Sequence, residues 1–306
     1  INDTYLCEFS ADGETRKYLL QRINAHVFRH PEQVMRNVEL VTGHIQDHMR
    51  QEGIVDPENL TPALIRTRSG ASCHVDQAGG YWRMFHFIES GEVFDHVKDA
   101  GHAREVGRAL GRFQALVADL PPEKLHDTLP GFHHTPDYLD ELDDAVQSNR
   151  ERAEDVGPEL AFVADRRLLA TSLMDPLSAK TIPIRVVHND PKVNNILISK
   201  TTGRAVCMVD LDTVKPGIVH FDYGDCVRSA ANPAGEDAED LDSVAFERDW
   251  YESLTRGYLE EAGKFLTKTE VELLPVSIRV ITFELGIRFL ADYLRGDTYF
   301  RTRYPG

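Results

Sequence analysis

Side chains able to do chemistry are concentrated in one part of this 306-residue chain. Residues 186–197 read VVHNDPKVNNIL, and residues 208–212 read MVDLD. Asp190 and Asn195 lie in or beside a polar stretch between two short apolar runs, and Asp210 ends a third such run. Carboxylate and amide oxygens gathered at one end of a small sheet suit Mg²⁺, and a further carboxylate can orient an attacking hydroxyl group. The pattern therefore predicts phosphoryl transfer.

The overall charge limits the classes of partner. The chain carries 34 Lys and Arg residues against 50 Asp and Glu residues, which gives a net charge of −16. Such a chain is repelled by nucleic-acid phosphates and by anionic membranes, so neither is an expected partner. Apolar residues make up 42% of the sequence, as in ordinary globular proteins. No apolar run reaches the roughly 18 residues of a membrane helix.

The cysteines indicate the compartment. They stand alone at positions 7, 73, 207 and 226 and form no CxxC pair. This spacing is unlike that of a zinc ribbon or a disulfide framework and fits a reducing compartment, so we expect a cytoplasmic location. The start of the sequence shows no signal peptide and no Met, and we expect it to lie inside a longer natural chain.

The first part of the chain is predicted to be rich in strands. Residues 4–9 and 17–23 read as two strands around an Asp-Gly turn, which predicts an antiparallel hairpin. Residues 31–52 repeat apolar side chains at spacings of three and four, the pattern of a helix with one apolar face. Two further extended runs, 63–67 and 81–88, complete a small sheet with one helix packed on it.

The remainder is predicted to be mostly helical. Helical patterns occur at 101–118, 136–149, 157–174, 244–263 and 268–295. Three short strands, at 184–187, 195–198 and 205–211, surround the candidate site. We therefore predict an α+β chain in which residues 1–90 form a strand-rich N-terminal domain and residues 91–306 form a mostly helical domain, with a linker near 88–92.

The order of the polar residues resembles that of a known superfamily. His188, Asp190 and Asn195 form an HxDxxxxN motif, and Asp210 follows about 15 residues later, as in protein-kinase-like enzymes. The resemblance implies a bilobal fold. Residues 1–90 would form a small antiparallel-sheet lobe with one helix that binds the nucleotide, and residues 91–306 a larger, mostly helical lobe that carries the catalytic and substrate-binding residues. Protein kinases have Asp-Phe-Gly at the metal position and a long activation segment, whereas residues 210–212 here are Asp-Leu-Asp. That form resembles the aminoglycoside phosphotransferase and choline kinase branch, which acts on small molecules.

Longer segments narrow the resemblance. They are INDTY, YLLQRIN, PEQVMRNV, GGYWRMFHFIE, PGFHHTP, HNDPKVNNILI, FDYGD and ELGIRFLADYLRGDTYF. Together they cover most of the chain and resemble the bacterial N-acetylhexosamine 1-kinase group. That resemblance implies phosphorylation of the anomeric hydroxyl of N-acetylglucosamine or N-acetylgalactosamine, with ATP and Mg²⁺, to give the sugar 1-phosphate.

The resemblance also assigns the central residues. Asp190 matches the catalytic base that faces the sugar O1, and Asn195 and Asp210 match the metal ligands. Asp212 is left open as a metal ligand, a substrate contact or a solvated carboxylate. His188 is interpreted as a packed, hydrogen-bonded residue outside the catalysis.

Substrate recognition is assigned to later segments. Arg288 and Tyr299 match the positions that contact the hexosamine, and His133 is a further candidate. Asp222 and Asp225 resemble carboxylates that brace the catalytic loop by accepting its backbone N–H groups.

The nucleotide contacts come from the N-terminal region. Arg22 is expected to replace the usual strand lysine, with a helix acid such as Glu39 as its partner. Phe87 and Ile88 are expected to present backbone groups to adenine, and Lys192 to neutralise the γ-phosphate. The family's Gly-rich phosphate loop is expected just before residue 1.

Two alternatives stay open. One is a kinase for another small hydroxyl substrate such as an aminoglycoside, since the acidic run 137–144 would suit a polycationic drug. The other is a catalytically silent nucleotide-binding regulator, which the intact Asp190, Asn195 and Asp210 disfavour. The preferred hexosamine epimer and the oligomeric state are not predicted.

Overall fold

The N-terminal region is built on an antiparallel sheet. The computed structural model describes residues 2–11, 13–235, 238 and 240–300. The four strands are β1 (Asp3–Ala11), β2 (Glu14–Arg22), β3 (His74–Val75) and β4 (Tyr81–His86), in the order β1-β2-β4-β3. The predicted hairpin is confirmed, with Asp3 opposite Arg22 and a φ of +82° at Gly13 that favours glycine.

Helix α1 (Pro31–Gln51) follows the hairpin and confirms the predicted helix. Its core-facing residues are Val34, Val38, Val41, Ile45 and Met49. The predicted strand at 63–67 is wrong in part, because only Leu64 forms an isolated bridge, to Phe85. The chain turns at Thr67, whose carbonyl accepts from the N–H of Gly70. Pairing with β4 therefore does not extend beyond this short segment.

The rest of the chain is mostly helical, as predicted. The helices are α2 (Ala100–Leu116), α3 (Thr135–Ser148), α4 (Arg150–Asp155), α5 (Gly157–Arg166), α6 (Met174–Ser178), α7 (Val219–Ala230), α8 (Arg248–Ala262) and α9 (Lys268–Arg295). The predicted helix 157–174 is interrupted by a 3₁₀ turn over Arg167–Thr171, which turns Ala170 into the core and leaves Leu168 in solvent.

Short strands surround the candidate site. Strands β5 (Gly91–Glu92), β7 (Ile196–Ser199) and β8 (Ala205–Met208) form one small sheet, and β6 (Arg185–Val187) pairs with β9 (Lys215–Gly217). Because β5 lies in the predicted linker and pairs with β7, the linker is joined directly to the hairpin that follows the HxDxxxxN motif.

A continuous apolar core joins the two regions. Val38 and Val41 of α1 belong to the same buried cluster as Val106 of α2 and Tyr258 of α8. The four cysteines are free thiols. None of the helices in the described ranges combines the length and apolar character needed to cross a bilayer.

Candidate active site

The loop after β6 carries the central aspartate, and α7 holds it in place. The Asp222 carboxylate accepts from the backbone N–H groups of His188 (2.9 Å) and Asn189 (2.7 Å) and from the amide nitrogen Nε2 of Gln114 (2.9 Å). Burial raises the pKa of Asp222, and these donors oppose the rise. Asn189 has a φ of +65°, in the left-handed region, so these bonds fix a loop conformation that a chain seldom adopts.

His188 is buried beneath this loop. Its Nε2 donates to the carbonyl of Val209 (3.0 Å), and the backbone N–H of Asp190 lies 3.3 Å from Nδ1. Since both ring nitrogens are engaged by backbone groups, the imidazole positions Asp190 and does not serve as a proton carrier.

Asp190 is held from one side. Nδ2 of Asn195 donates to the Asp190 carbonyl (2.8 Å) and to its Oδ2 (3.0 Å), and Nζ of Lys192 lies 2.9 Å from the same Oδ2. Burial raises the pKa of the carboxyl group, while Lys192 opposes the rise. Both contacts to the carboxylate fall on Oδ2, so Oδ1 is the atom left to face a substrate hydroxyl.

Asn195 and Asp210 form a donor set that fits a divalent cation. The Asn195 amide nitrogen donates twice to Asp190, which leaves the amide oxygen for a ligand. The two positions are tied together where the N–H of Val209 donates to the Asn195 carbonyl (2.9 Å), and Asp210 itself is exposed, with a φ of +62°. An amide oxygen and a carboxylate are hard ligands of the kind Mg²⁺ selects.

Lys192 lies in the field of three carboxylates. Burial alone would lower the pKa of Lys192, but Asp190, Asp210 and Asp225 outweigh it and raise the pKa. The side chain is therefore a permanent cation beside Asp190.

Arg83 is a cation of the site that sequence reasoning missed. Its guanidinium forms a buried ion pair with Asp212 and donates to the side-chain oxygen of Gln21 at 2.9 and 3.0 Å. The sequence does hold a signal for Arg83. Side chains alternate between the two faces of a strand, so Arg83 lies on the same face of β4 as Phe85, and an arginine buried on an apolar face needs a carboxylate partner.

Arg22 lies elsewhere than expected. The register pairs Gln21 with Arg83 and Arg22 with Trp82, so Arg22 points to the opposite face of the sheet. Its guanidinium is 5.9 Å from the centre of the Trp82 ring. The expected partner of Arg22, Glu39, instead pairs with Arg66.

Asp212 is not a solvated carboxylate. Its side chain is 2% exposed, and besides Arg83 it accepts from Nδ2 of Asn2 at 2.6 Å. Asp212 therefore ties β4, and the residue just before β1, to the segment that follows β8.

A cleft lies between the sheet and the β7–β8 hairpin. It has a volume of 370 Å³ and is lined by residues that include Leu19, Gln21, Arg83, Phe85, Phe87, Ile88, Leu197 and Asp210. The structure thus brings Phe87 and Ile88 to the same cleft as Asp210. The backbone N–H of Phe87 is already used by the carbonyl of Lys17 (3.2 Å).

The C-terminal end of α9 carries an aromatic cluster around Arg288. The guanidinium carbon lies 4.9–6.0 Å from the ring centres of Tyr138, Phe132, Phe300 and Tyr299. Asp292 accepts from the backbone N–H groups of Thr298, Tyr299 and Phe300 at 2.8–3.0 Å and so fixes the segment after α9. Tyr299 is 71% exposed, so its ring is open to a ligand.

His133 connects this cluster to the catalytic loop. Its Nδ1 lies 2.8 Å from the Glu284 carboxylate, one turn before Arg288 on α9, and its ring stacks at 5.0 Å on Phe221. Phe221 precedes Asp222, which holds the loop of Asp190. Within the described residues, the buried Nε2 of His133 has no hydrogen-bond partner.

Asp225 departs from its expected bracing role. It pairs with Arg228 on its own helix at 2.7 Å, whereas Asp222 makes the bonds to the catalytic loop. Asp225 acts on the site through its charge, which contributes to the raised pKa of Asp190.

Comparison with known proteins agrees with the fold. Solved structures with the same fold include a microcompartment-associated aminopropanol kinase (TM-score 0.57, 14% identity, 98% of this chain and 86% of that chain). They also include a Plasmodium vivax ethanolamine kinase (TM-score 0.53, 12% identity, 97% and 78%) and a spectinomycin phosphotransferase in complex with ADP and spectinomycin (TM-score 0.53, 13% identity, 97% and 82%). At these identities the likeness establishes the fold alone, and the predicted α+β protein-kinase-like architecture is confirmed.

The family of the chain is established by its sequence. A profile of the phosphotransferase enzyme family, APH, matches residues 1–263. The match spans both the sheet and the catalytic loop, and the chain belongs to the phosphotransferase enzyme family.

Proposed function

We propose that the protein transfers the γ-phosphoryl group of ATP to the anomeric hydroxyl of N-acetylglucosamine or N-acetylgalactosamine and releases the sugar 1-phosphate. Family membership supports the phosphotransferase chemistry. The hexosamine rests on the resemblance at Arg288, Tyr299 and His133, and on the way these residues are arranged.

The nucleotide would occupy the cleft beside the linker. Its apolar wall of Leu19, Phe85 and Leu197 suits a purine base, while Arg83 and Asp210 line the same space and suit the phosphates and their metal. Asn195 and Asp210 would hold Mg²⁺, which when bound supplies positive charge that neutralises the phosphate oxygens. We also propose that residues 1–90 and 91–306 act as the nucleotide-binding and the catalytic, sugar-binding domains.

Asp190 would take the proton of the sugar hydroxyl. The proton leaves the anomeric oxygen for the carboxylate as the bond from that oxygen to phosphorus forms and the bond to the ADP oxygen breaks. Burial strengthens Asp190 as a base by raising its pKa. Lys192, held 2.9 Å from the carboxylate, would stabilise negative charge on the phosphoryl group.

The observation that carries the sugar assignment is the arrangement around Arg288. Arg288 is bounded by four aromatic rings, and Asp292 holds the backbone of the exposed Tyr299 beside it. A fixed aromatic face next to a guanidinium offers a sugar ring both a stacking surface and hydrogen-bond donors. The contacts from Glu284 through His133 to Phe221 connect this surface to the catalytic loop.

The acidic run gives little support to a polycationic substrate. On α3, Glu141 pairs with Arg295 (3.0 Å), Asp143 pairs with Arg167 (2.7 Å), and Asp137 lies 2.8 Å from His134. Much of the charge expected to attract an aminoglycoside is therefore used within the protein. We place the hexosamine ahead of the aminoglycoside on this ground.

An ADP-release assay against both N-acetylhexosamines, glucose, mannose and kanamycin tests the proposal. We expect the highest kcat/KM for one or both N-acetylhexosamines, and a product whose anomeric proton shows coupling to phosphorus in the NMR spectrum. Turnover of kanamycin above that of the sugars, or a product without this coupling, would refute the assignment. The Asp190→Asn variant serves as the inactive control.

A further inference from the structure

Two histidines of α1 converge on one carboxylate away from the active site. Nε2 of His44 lies 2.9 Å from Oδ1 of Asp119, and Nε2 of His48 lies 3.1 Å from both carboxylate oxygens. The histidines are one helical turn apart, and their ring centres are separated by 4.9 Å. Asp119 follows α2, more than 70 residues further along the chain. The fold, and not local sequence, creates this cluster.

The distances suit a shared metal ion. The ligand atoms of the three side chains all lie within 4.8 Å of one another. Two ligand atoms bound at about 2.1 Å to one ion, with an angle of about 90–109° between them, are about 3.0–3.4 Å apart. The separations of the two histidine nitrogens from Asp119, 2.9 and 3.1 Å, are close to this range, and the two nitrogens lie within 4.8 Å of each other. An ion could therefore take the place of the protons shared with Asp119 after side-chain rotations.

The ligand types select the class of ion. Imidazole nitrogens favour transition metals such as Zn²⁺, whereas Mg²⁺ and Ca²⁺ favour oxygen ligands. The side chains of His44, His48 and Asp119 are 22%, 31% and 63% exposed, so an ion can enter from solvent and keep bound water. Among the residues that the structure describes, no other group of three His, Cys, Asp or Glu side chains brings its ligand atoms this close.

We propose that His44, His48 and Asp119 form a binding site for a divalent transition-metal ion, with Zn²⁺ as the representative. The bound ion would tie α1 to the segment after α2. Elsewhere on α1, Nδ2 of Asn37 already donates to the carbonyls of His126 (2.8 Å) and Val214 (3.0 Å). The metal would thus add to the contacts that hold α1 against the C-terminal region. This site is independent of the substrate proposed above.

Calorimetric titration of the metal-free full chain with Zn²⁺, in excess Mg²⁺, tests the site directly. We expect one Zn²⁺ per chain, with a dissociation constant in the low micromolar range. The variants His48→Gln and Asp119→Asn should each weaken binding by about tenfold or more, because each removes one of three ligands. His30→Gln is the matched control: His30 is an exposed histidine that pairs with the Glu32 carboxylate, and its loss should leave the affinity unchanged.

A thermal-melting series gives a second readout. Zn²⁺ at about a hundred times the dissociation constant should raise the Tm of the parent by several degrees, and that of His48→Gln much less. The Asp210→Asn variant should retain Zn²⁺ binding. The proposal is overturned if the parent shows no affinity at millimolar Zn²⁺, if His48→Gln and Asp119→Asn bind as tightly as the parent, or if Asp210→Asn abolishes binding and so assigns the ion to the catalytic residues.

Discussion

At the scale of single residues, the chemistry depends on how tightly Asp190 is held. Asn195 and Lys192 contact its Oδ2, and Asp222 fixes the backbone of the preceding residues. Burial raises the pKa of Asp190, so it accepts a proton more readily than an exposed aspartate does. A base held in this way needs little rearrangement when the substrate arrives.

Asp190→Asn should lower turnover by about a hundredfold or more while ATP affinity stays close to that of the parent, because the proton acceptor is lost but the nucleotide cleft is intact. Steady-state kinetics with a nucleotide-binding titration measures both. In the parent, turnover should fall as the pH drops through the raised pKa of Asp190, since only the carboxylate accepts the proton. Turnover of the variant within a few-fold of the parent would show that Asp190 is not the base.

Arg83 and Arg22 provide a matched pair of arginines on adjacent strands. Arg83→Lys keeps a positive charge beside Asp212 but loses the paired bonds to Gln21, and kcat/KM for ATP should fall by about tenfold or more. Arg22→Lys, on the opposite face of the sheet, should stay within about twofold of the parent. Equal losses in both variants would contradict the placement of Arg83 at the phosphates, and melting curves would separate such a loss from misfolding.

The sequence predicts the acidic and amide residues of the candidate site more readily than the arginine that lies beside them. Asp190, Asn195 and Asp210 belong to a continuous stretch with fixed spacing, and short strands bring them together. The choice between Arg22 and Arg83 depends on strand register, and a shift of one residue moves a side chain to the other face. Only the pairing of β2 with β4 settles which arginine enters the cleft.

At the scale of elements, the Asp292 carboxylate fixes the backbone of residues 298–300 after α9. Burial alone would raise the pKa of Asp292, but the backbone N–H groups of Thr298, Tyr299 and Phe300 outweigh it and lower the pKa. The exposed Tyr299 ring is therefore attached to a fixed backbone.

Asp292→Asn should raise the KM for the sugar by about tenfold and leave the KM for ATP unchanged, because it weakens the bonds that hold Tyr299. Asp297→Asn is the control: Asp297 is an exposed neighbour that pairs with Arg152, and its replacement should change neither value. If the KM for the sugar is the same in all three proteins, the segment after α9 does not contact the sugar.

A helix of this protein is predictable from sequence to the extent that its apolar residues repeat regularly. α1 repeats apolar residues on one face without interruption, and its bounds agree with prediction. α7 escaped prediction because its FDYGD segment reads as polar and contains Gly224, a poor helix former. That glycine is required by packing, since a Cβ at Gly224 would lie 2.6 Å from the carbonyl oxygen of Ser277 on α9.

At the scale of the whole molecule, a buried ion pair joins the start of α9 to the strand that leads into the catalytic loop. Arg185 of β6 donates to Glu270 at 2.7 and 3.0 Å, and Glu270 also accepts from the N–H of Thr267 at 2.8 Å. Burial alone would raise the pKa of Glu270, but these donors outweigh it and lower the pKa. The folded state therefore gains stability from ionised Glu270 above the ordinary glutamate pKa and loses it as the pH falls through the lowered value.

Glu270→Gln should destabilise the protein by about 2 kcal/mol at neutral pH, because it weakens a buried charge pair and the helix cap. The deficit should narrow as the pH falls below the lowered pKa, where the parent is protonated as well. Glu272→Gln is the control on the same helix, since its pair with Lys268 is exposed and should contribute little. Melting curves across pH measure the difference, and a deficit independent of pH would contradict this account.

The division of the chain near residue 90 was predicted from a change in composition, and composition alone does not reveal which region a helix packs against. α1 precedes the division, yet its buried face joins the core formed by α2 and α8, and Asn37 binds the carbonyls of His126 and Val214. If the cleft opens to admit nucleotide, α1 stays with the helices, and the sheet moves only once the buried ion pair of Arg83 with Asp212 separates. The chain would then bend on both sides of α1, between β2 and α1 and between α1 and β3, and at the linker after β4, so the moving body is smaller than the N-terminal region as the sequence delimits it.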